Sequence, residues 1–426
     1  MELAKMIENA PLERFIPVSK QEIIDDLCQA DHWPEEERKL FKGFCRILVA
    51  LYHYKFHQDL EQIKAAYVPF VPDADTVTQC RYDDVKCKQL QKQLIQSMEK
   101  LLNDANYEKL SKEKINQGVN EISPDGLVTY VDFDDFSELL AYYRGSTTTI
   151  LEKRDWKKLF LKKKSIEIPI YKRLVVLLKF KSLQERVEEL RTENSKLTEK
   201  QATKIIQKSR REIASEAIEG FIFIKLFKDL PHADIEVLFP NRQVKFKLFD
   251  KIKLAITGGG GTIAGIVTTV TKIASALNPF TIITAFVGLI AIIFRQVKNF
   301  FNQRNHYMMK MAQNLYFHNL ANNLAVIGRL VDTAEEEECK EAILAYYFLY
   351  VYPEKNYTQA ELDKEIEQYL RLKYGVNVDF EITDSLRKLQ EENLLEITPE
   401  GTLKVTKLLT ACKKLDEQWD CFFDYS

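Results

Sequence analysis

Apolar residues near the start of the chain recur at helical spacing. Across residues 38–65, Leu40, Phe44, Ile47, Leu48, Leu51, Phe56, Leu60 and Ile63 share one side, which predicts an amphipathic helix. Pro69 and Pro72 then forbid helix geometry and make residues 67–76 a rigid connector. Helical spacing resumes over 85–110. From residue 126 the pattern shortens. Residues 139–143, 147–151, 165–170 and 174–180 read as short strands separated by Arg144-Gly145 and charged stretches, with 220–227 and 243–249 able to complete a small antiparallel sheet. Leu183, Leu190 and Leu197 fall seven apart with Val187 and Asn194 between them, the seam of a short parallel coiled coil or of an arm packed on its own body. Residues 297–331 form another amphipathic pattern, followed by acids at Glu335–Glu338 and an aromatic-rich helix over 342–352. Thr358 and Glu361 make a capping box ahead of a helix at 359–372. A further helix over 379–392 and two short strands around Pro399-Glu400-Gly401 resemble a winged helix.

One stretch departs from amphipathic patterning. Residues 254–294 contain a single charge, Lys272, and Asn278-Pro279 supplies a turn signal within them. The uncharged halves would span about 27–28 Å as helices, near the roughly 30 Å of a bilayer's hydrocarbon core. Lys245, Lys247, Lys251 and Lys253 precede the stretch and Arg295, Lys298 and Arg304 follow it, so both ends are expected on one, cytoplasmic side. Gly261, Gly265 and Thr269 form a small-residue stripe for close packing, either within the hairpin or between copies. The expected fold is therefore mostly α with a small antiparallel β region, a helical membrane hairpin and a C-terminal winged-helix-like unit. The expected divisions are 1–118 helical, 119–253 α+β with an arm at 182–219, 254–294 hairpin, 295–352 amphipathic helix and 353–426 winged-helix-like.

Composition changes this picture little. The 426 residues are 46% apolar and 29% charged with a net charge of −2, which argues against a general nucleic-acid binder. Charge is uneven, however. Residues 151–180 hold ten Lys/Arg against three Asp/Glu, whereas 121–140 hold six acids and no base. The helix at 379–392 carries Asp379, Glu381, Asp384, Glu391 and Glu392 against Arg387 and Lys388, a face suited to a protein partner and not to phosphates. Seven dispersed cysteines without a C-x-x-C fit reduced thiols in a cytosol-like compartment.

Chemistry is sparse. Gly258–Gly261 lacks the Gly-Lys-Ser/Thr of a P-loop, and no zincin, serine-hydrolase or kinase motif occurs. The best carboxylate group is Asp229, Asp234 and Glu236 with His232, which would suit a divalent metal or a shared proton, although acids at a helix start explain the same residues. His53 and His57 stand one helical turn apart without a local third ligand. No cofactor is expected.

Several segments carry a family resemblance. Phe15-Ile16-Pro17, Tyr67-Val68-Pro69-Phe70, Tyr171–Val175, Ile224–Glu236, Tyr316–Asn323, Ala334–Tyr346 and Trp419-Asp420 resemble the domain-of-unknown-function family that includes animal transmembrane protein 143. The resemblance implies a paired membrane segment and supplies no catalytic residues. That animal relative is associated with mitochondria, but residues 1–20 lack a targeting pattern, so a bacterial inner membrane is the expected location. The function expected from all this is a membrane-anchored scaffold or assembly protein working through protein–protein contacts. The alternatives are a metal-assisted hydrolase using Asp229, His232, Asp234 and Glu236, and an oligomeric membrane pore. The expected partners are a lipid bilayer, a second copy meeting at Leu183, Val187, Leu190, Asn194 and Leu197, and a protein at the C-terminal unit.

Overall fold

The computed structural model describes residues 12–30, 33–74, 82–111, 113–115, 128–154, 163–210, 219–241, 243–245 and 315–422, with isolated positions between 298 and 313. Helix α1 (Lys20–Gln29) opens on Ser19, whose hydroxyl accepts from the Glu22 N–H. Helix α2 (Glu35–Tyr67) starts behind Pro34 with three acids in its first turn, where the helix dipole favours them. Asp83 caps α3 (Asp84–Asp104).

A five-stranded antiparallel sheet follows, in the order β1-β3-β4-β5-β7. Its frame is one long hairpin of β3 (Phe136–Arg154) and β4 (Lys163–Phe180), edged by the short β1 (Glu108–Lys109). The sequence suggests four shorter strands here. Gly145 does not end one: it adopts φ +71° inside β3, and a Cβ there would lie 2.7 Å from Glu13 Oε2. Pro169 is also accommodated, because that part of β4 pairs only with β3; β5 (Ile222–Pro231) joins from Ile170 onward. The run from Leu174 to Leu178 is apolar at every position because both sheet faces are covered. Val175 and Leu177 enter a core with α2, α3 and a later helix, while Leu174, Val176 and Leu178 enter a second core with Phe227 and Phe239. A separate two-stranded ladder joins β2 (Val128–Tyr130) to β6 (Gln243–Lys245).

Between β4 and β5, α4 (Leu183–Glu193) and α5 (Glu199–Ser209) fold back on each other. Val187 packs with Ala202 and Ile206, flanked by Leu183 and Leu190. Asn194 caps the end of α4, so the heptad spacing through Leu197 does not correspond to one helix.

β7 (Asn319–Asn322) leads into the central helix α6 (Leu324–Val351) through Asn323, which sits at φ 51°. Its side-chain oxygen accepts from the Ile224 N–H at 3.1 Å and its own N–H donates to Ile224 O at 2.6 Å, fixing where α6 leaves the sheet. Helix α7 (Gln359–Tyr374) ends on the left-handed Gly375, and α8 (Ile382–Glu391), the hairpin β8 (Leu395–Ile397) with β9 (Leu403–Val405), and α9 (Leu408–Cys421) complete the chain. Leu362, Leu389 and Leu415 from this last part share one apolar core with Ile23, Phe44 and Tyr346.

The chain is thus mostly helical with a small antiparallel sheet, and the membrane element needs correction. Among the described residues no helix is long and apolar enough to cross a membrane. The two longest explain why: α2 has 33 residues but is charged along its length, and α6 has 28 but carries the acids Glu335–Glu338. Residues 254–294, with Gly261, Gly265 and Thr269, lie outside the described residues. The transmembrane hairpin, the bilayer partner, the inner-membrane location, the membrane-anchored role and the pore are corrected together on this finding.

Candidate functional site: a charged cavity beside α6

Helix α6 is apolar on every side from Ala342 to Leu349, all of it buried. A helix of that kind runs through an interior, and the charged turn before it is carried inside as well. Glu337, Glu338, Lys340 and Glu341 are all buried. Each is matched by a distant part of the chain. Glu337 accepts from the Ile16 N–H at 3.0 Å and from Arg144 on β3 at 2.6 Å. Lys340 donates to Ile16 O at 2.7 Å and to Glu337 at 2.7 Å. Glu335, at the edge, takes Lys20 and His53, which accounts for the first of the histidine pair. Glu341 accepts from Asn106 at 3.0 Å.

The other side of this turn faces α8. Lys388, almost fully buried, reaches Glu338 at 2.7 Å, Glu341 at 2.9 Å and Asp384 at 2.8 Å. Burial opposes its charge, but the three carboxylates outweigh burial and raise its pKa. Burial likewise pushes Glu338 up to about 8 against the pull of Lys388, and raises Glu341. One ammonium does not fully compensate the burial of Glu338 and Glu341, so both hold onto protons, whereas at Asp384 burial is outweighed by Lys388 and Arg387, which lower its pKa.

Beside this cluster is a cavity of about 150 Å³ walled by α2, α3, α6 and α8. Tyr52, Lys55 and Asp59 come from α2, Lys100 and Asp104 from α3, and Arg387, Glu391 and Glu392 from the end of α8. Lys55 pairs with Glu392 Oε1 at 2.6 Å, Lys100 with Asp59 at 3.1 Å, and Arg387 with Glu391 at 2.5 Å. Two buried polar atoms on this wall have no hydrogen-bond partner among the described residues, Tyr52 Oη and Glu392 Oε2. Burial raises the Asp104 pKa too.

The acids chosen from sequence behave differently. Asp229 lies at φ 48° near the end of β5, more than half exposed and 4.0 Å from Arg173. His232 stacks on Tyr171 at 3.7 Å between ring centres, and burial lowers its pKa. Asp234 is only half-buried, and the Glu236 side chain lies outside the described residues. Among the described residues no three His, Cys, Asp or Glu side chains converge to hold a metal, which corrects the metal-assisted hydrolase. On α8 and its flanks Lys388 and Glu392 are buried, which leaves the acid excess of the remaining face unchanged. Sequence reading missed the cavity. The available signal was Lys388 itself, which shares a helix side with the buried Ser385 and Leu389.

Comparisons with known proteins reach only parts of this architecture. Residues 171–325 match a family model described as protein of unknown function (DUF3754). That span runs from β4 into the start of α6 and leaves every cavity residue outside it. Over 81 residues, 18% of the chain, there is 36% identity to the UvrABC system protein C of Aquifex aeolicus (strain VF5); the match spans 14% of that protein's length. No solved structure matches.

Proposed function

We propose that this chain is a ligand-responsive binding protein. A small polar guest enters the cavity between α2, α3, α6 and α8, and its occupancy sets how firmly α8 is held against the body. The observation that carries this reading is the pair of buried, unpartnered polar atoms, Tyr52 Oη and Glu392 Oε2, on the wall of one cavity. Leaving a buried polar group unpaired costs about 1–3 kcal/mol, a cost that a bound guest removes. The cavity's 150 Å³ is small beside the roughly 300–1,000 Å³ of drug-sized pockets, so the guest is a small one. Coupling to α8 follows from Glu392 lying at the end of that helix and from Lys388, two residues of one element that face the same wall.

A guest that binds only the closed arrangement stabilises it in proportion to RT ln(1 + [L]/Kd). The test is amide hydrogen exchange on the full chain with millimolar methylammonium, acetate or glycerol. At least one probe is expected to slow exchange saturably in α8 and in the facing stretch of α2. Exchange unaffected by all three would overturn the reading. The likeness of the quoted segments from Phe15 to Trp419 to the family that includes animal transmembrane protein 143 supports a relationship wider than residues 171–325. It brings no activity with it.

A further inference from the structure

The cavity's charge balance goes further than its size. Every cation on the wall is already engaged: Lys55 with Glu392, Lys100 with Asp59, Arg387 with Asp384 and Glu391, and Lys388 with three carboxylates. The acceptors are not used up. Glu392 Oε2 is buried without a partner, and the half-buried Asp104 carboxylate has no ion pair among the described residues. Counting the carboxyl groups that Lys388 holds just behind the wall, seven acidic side chains meet four basic ones, and burial keeps protons on Glu338 in particular. An anion entering here would find no free cation among the described residues and would face the unpartnered carboxylate oxygen of Glu392. A cation meets the reverse.

We infer that the cavity is a site for a small organic ammonium ion, whose N–H groups donate to Glu392 Oε2, the Asp104 carboxylate and Tyr52 Oη. This rests on the reading of the cavity as a binding site and names its ligand class. A bare metal ion suits the site less well, since among the described residues no three acids, thiols or imidazoles come close enough to share one. An alkylammonium distributes three N–H donors in different directions and brings its own apolar carbon to the Phe56 ring on the same wall. Burial disfavours an unpaired carboxylate, and a charged donor supplies the stronger class of hydrogen bond.

The experiment is isothermal titration of the full chain with methylammonium, tetramethylammonium and acetate at constant ionic strength. Methylammonium should bind saturably, while tetramethylammonium, which has the charge but no N–H donor, and acetate should not. Glu392→Gln should weaken methylammonium binding by about tenfold or more. Tyr52→Phe, which removes only an unpartnered hydroxyl and leaves packing in place, should weaken it several-fold. Acetate binding in place of methylammonium would overturn the ammonium assignment and leave the binding-protein reading standing. Tetramethylammonium binding as well as methylammonium would overturn the hydrogen-bonding geometry. Binding that is unchanged in both variants would show that the ion sits elsewhere, and silence from every probe would sink both proposals.

Discussion

Two acidic stretches of this chain look alike in sequence and have opposite fates. Asp229, Asp234 and Glu236 flank a proline and a histidine, an arrangement that invites a catalytic reading, yet Asp229 is mostly in solvent and His232 spends its ring on Tyr171. Glu335–Glu338 and Glu341 look like a solvated helix face, yet three of them are buried almost completely and their partners come from β3, α8 and the N-terminal segment. Local sequence reports what a residue's neighbours are in the chain. The environment of a charge is decided by what the fold packs against it. Here it is the wholly apolar stretch after Glu341 that drags the acids inward, because the helix cannot bury Ala342–Leu349 without burying the turn before it.

The contrast can be broken at its strongest point by Lys388→Met. Removing the ammonium takes the shared donor from the buried Glu338 and Glu341, while Asp384 keeps Arg387, and breaking a buried pair in this way costs about 3–5 kcal/mol. Urea denaturation of the full chain at neutral pH should show a clear fall in midpoint; a change below roughly 1 kcal/mol would place Lys388 in solvent.

A pH experiment sharpens the same comparison. Glu338 is raised from 4.5 to about 8 in the folded chain, so the native state binds its proton more tightly than the unfolded state does. Its contribution to stability is present below the unfolded pKa and is lost as pH rises through the folded one. Stability should therefore decline between about pH 4.5 and 8 by an amount on the order of a few kcal/mol. Glu338→Gln should flatten that decline. An equally steep slope in the variant would mean that another group carries it.

Gly145→Ala tests the left-handed turn of backbone that follows Arg144, the partner of Glu337 on β3. The positive φ and the approach of Glu13 predict a loss of about 1–3 kcal/mol by thermal unfolding. At the other end, Asp229→Asn keeps a residue that tolerates left-handed backbone and removes no buried partner. Its stability should stay within about 0.5 kcal/mol of the parent.

Much of the architecture was legible because it depends on local pattern. The long apolar seam ending at Ile63 lies in α2, the Thr358–Glu361 box opens α7, and the strands around Leu139 and Leu174 pair with each other. Lengths were harder to read: Gly145 looks like a break, and its left-handed backbone explains a glycine inside a continuous strand. The seam of Leu183, Val187 and Leu190 pointed to an apolar contact, which the chain makes with its own Ala202 and Ile206. The cavity was not legible in any segment. Tyr52, Asp104, Glu338 and Glu392 stand far apart in sequence, and none carries a motif; they become a site only when α2, α3, α6 and α8 pack together.

The acids of α6 and the lysine of α8 form one buried electrostatic unit. A double-mutant cycle between Glu341 and Lys388, read by chemical denaturation of the full chain with Glu341→Gln, Lys388→Met and the double variant, addresses it without reference to any ligand. Groups within one buried network couple by roughly 0.5–3 kcal/mol, whereas independent sites add to within about 0.3–0.5 kcal/mol. The account predicts a coupling above 1 kcal/mol, in the sense that the second substitution relieves part of the damage done by the first. Simple additivity of the two losses would contradict it.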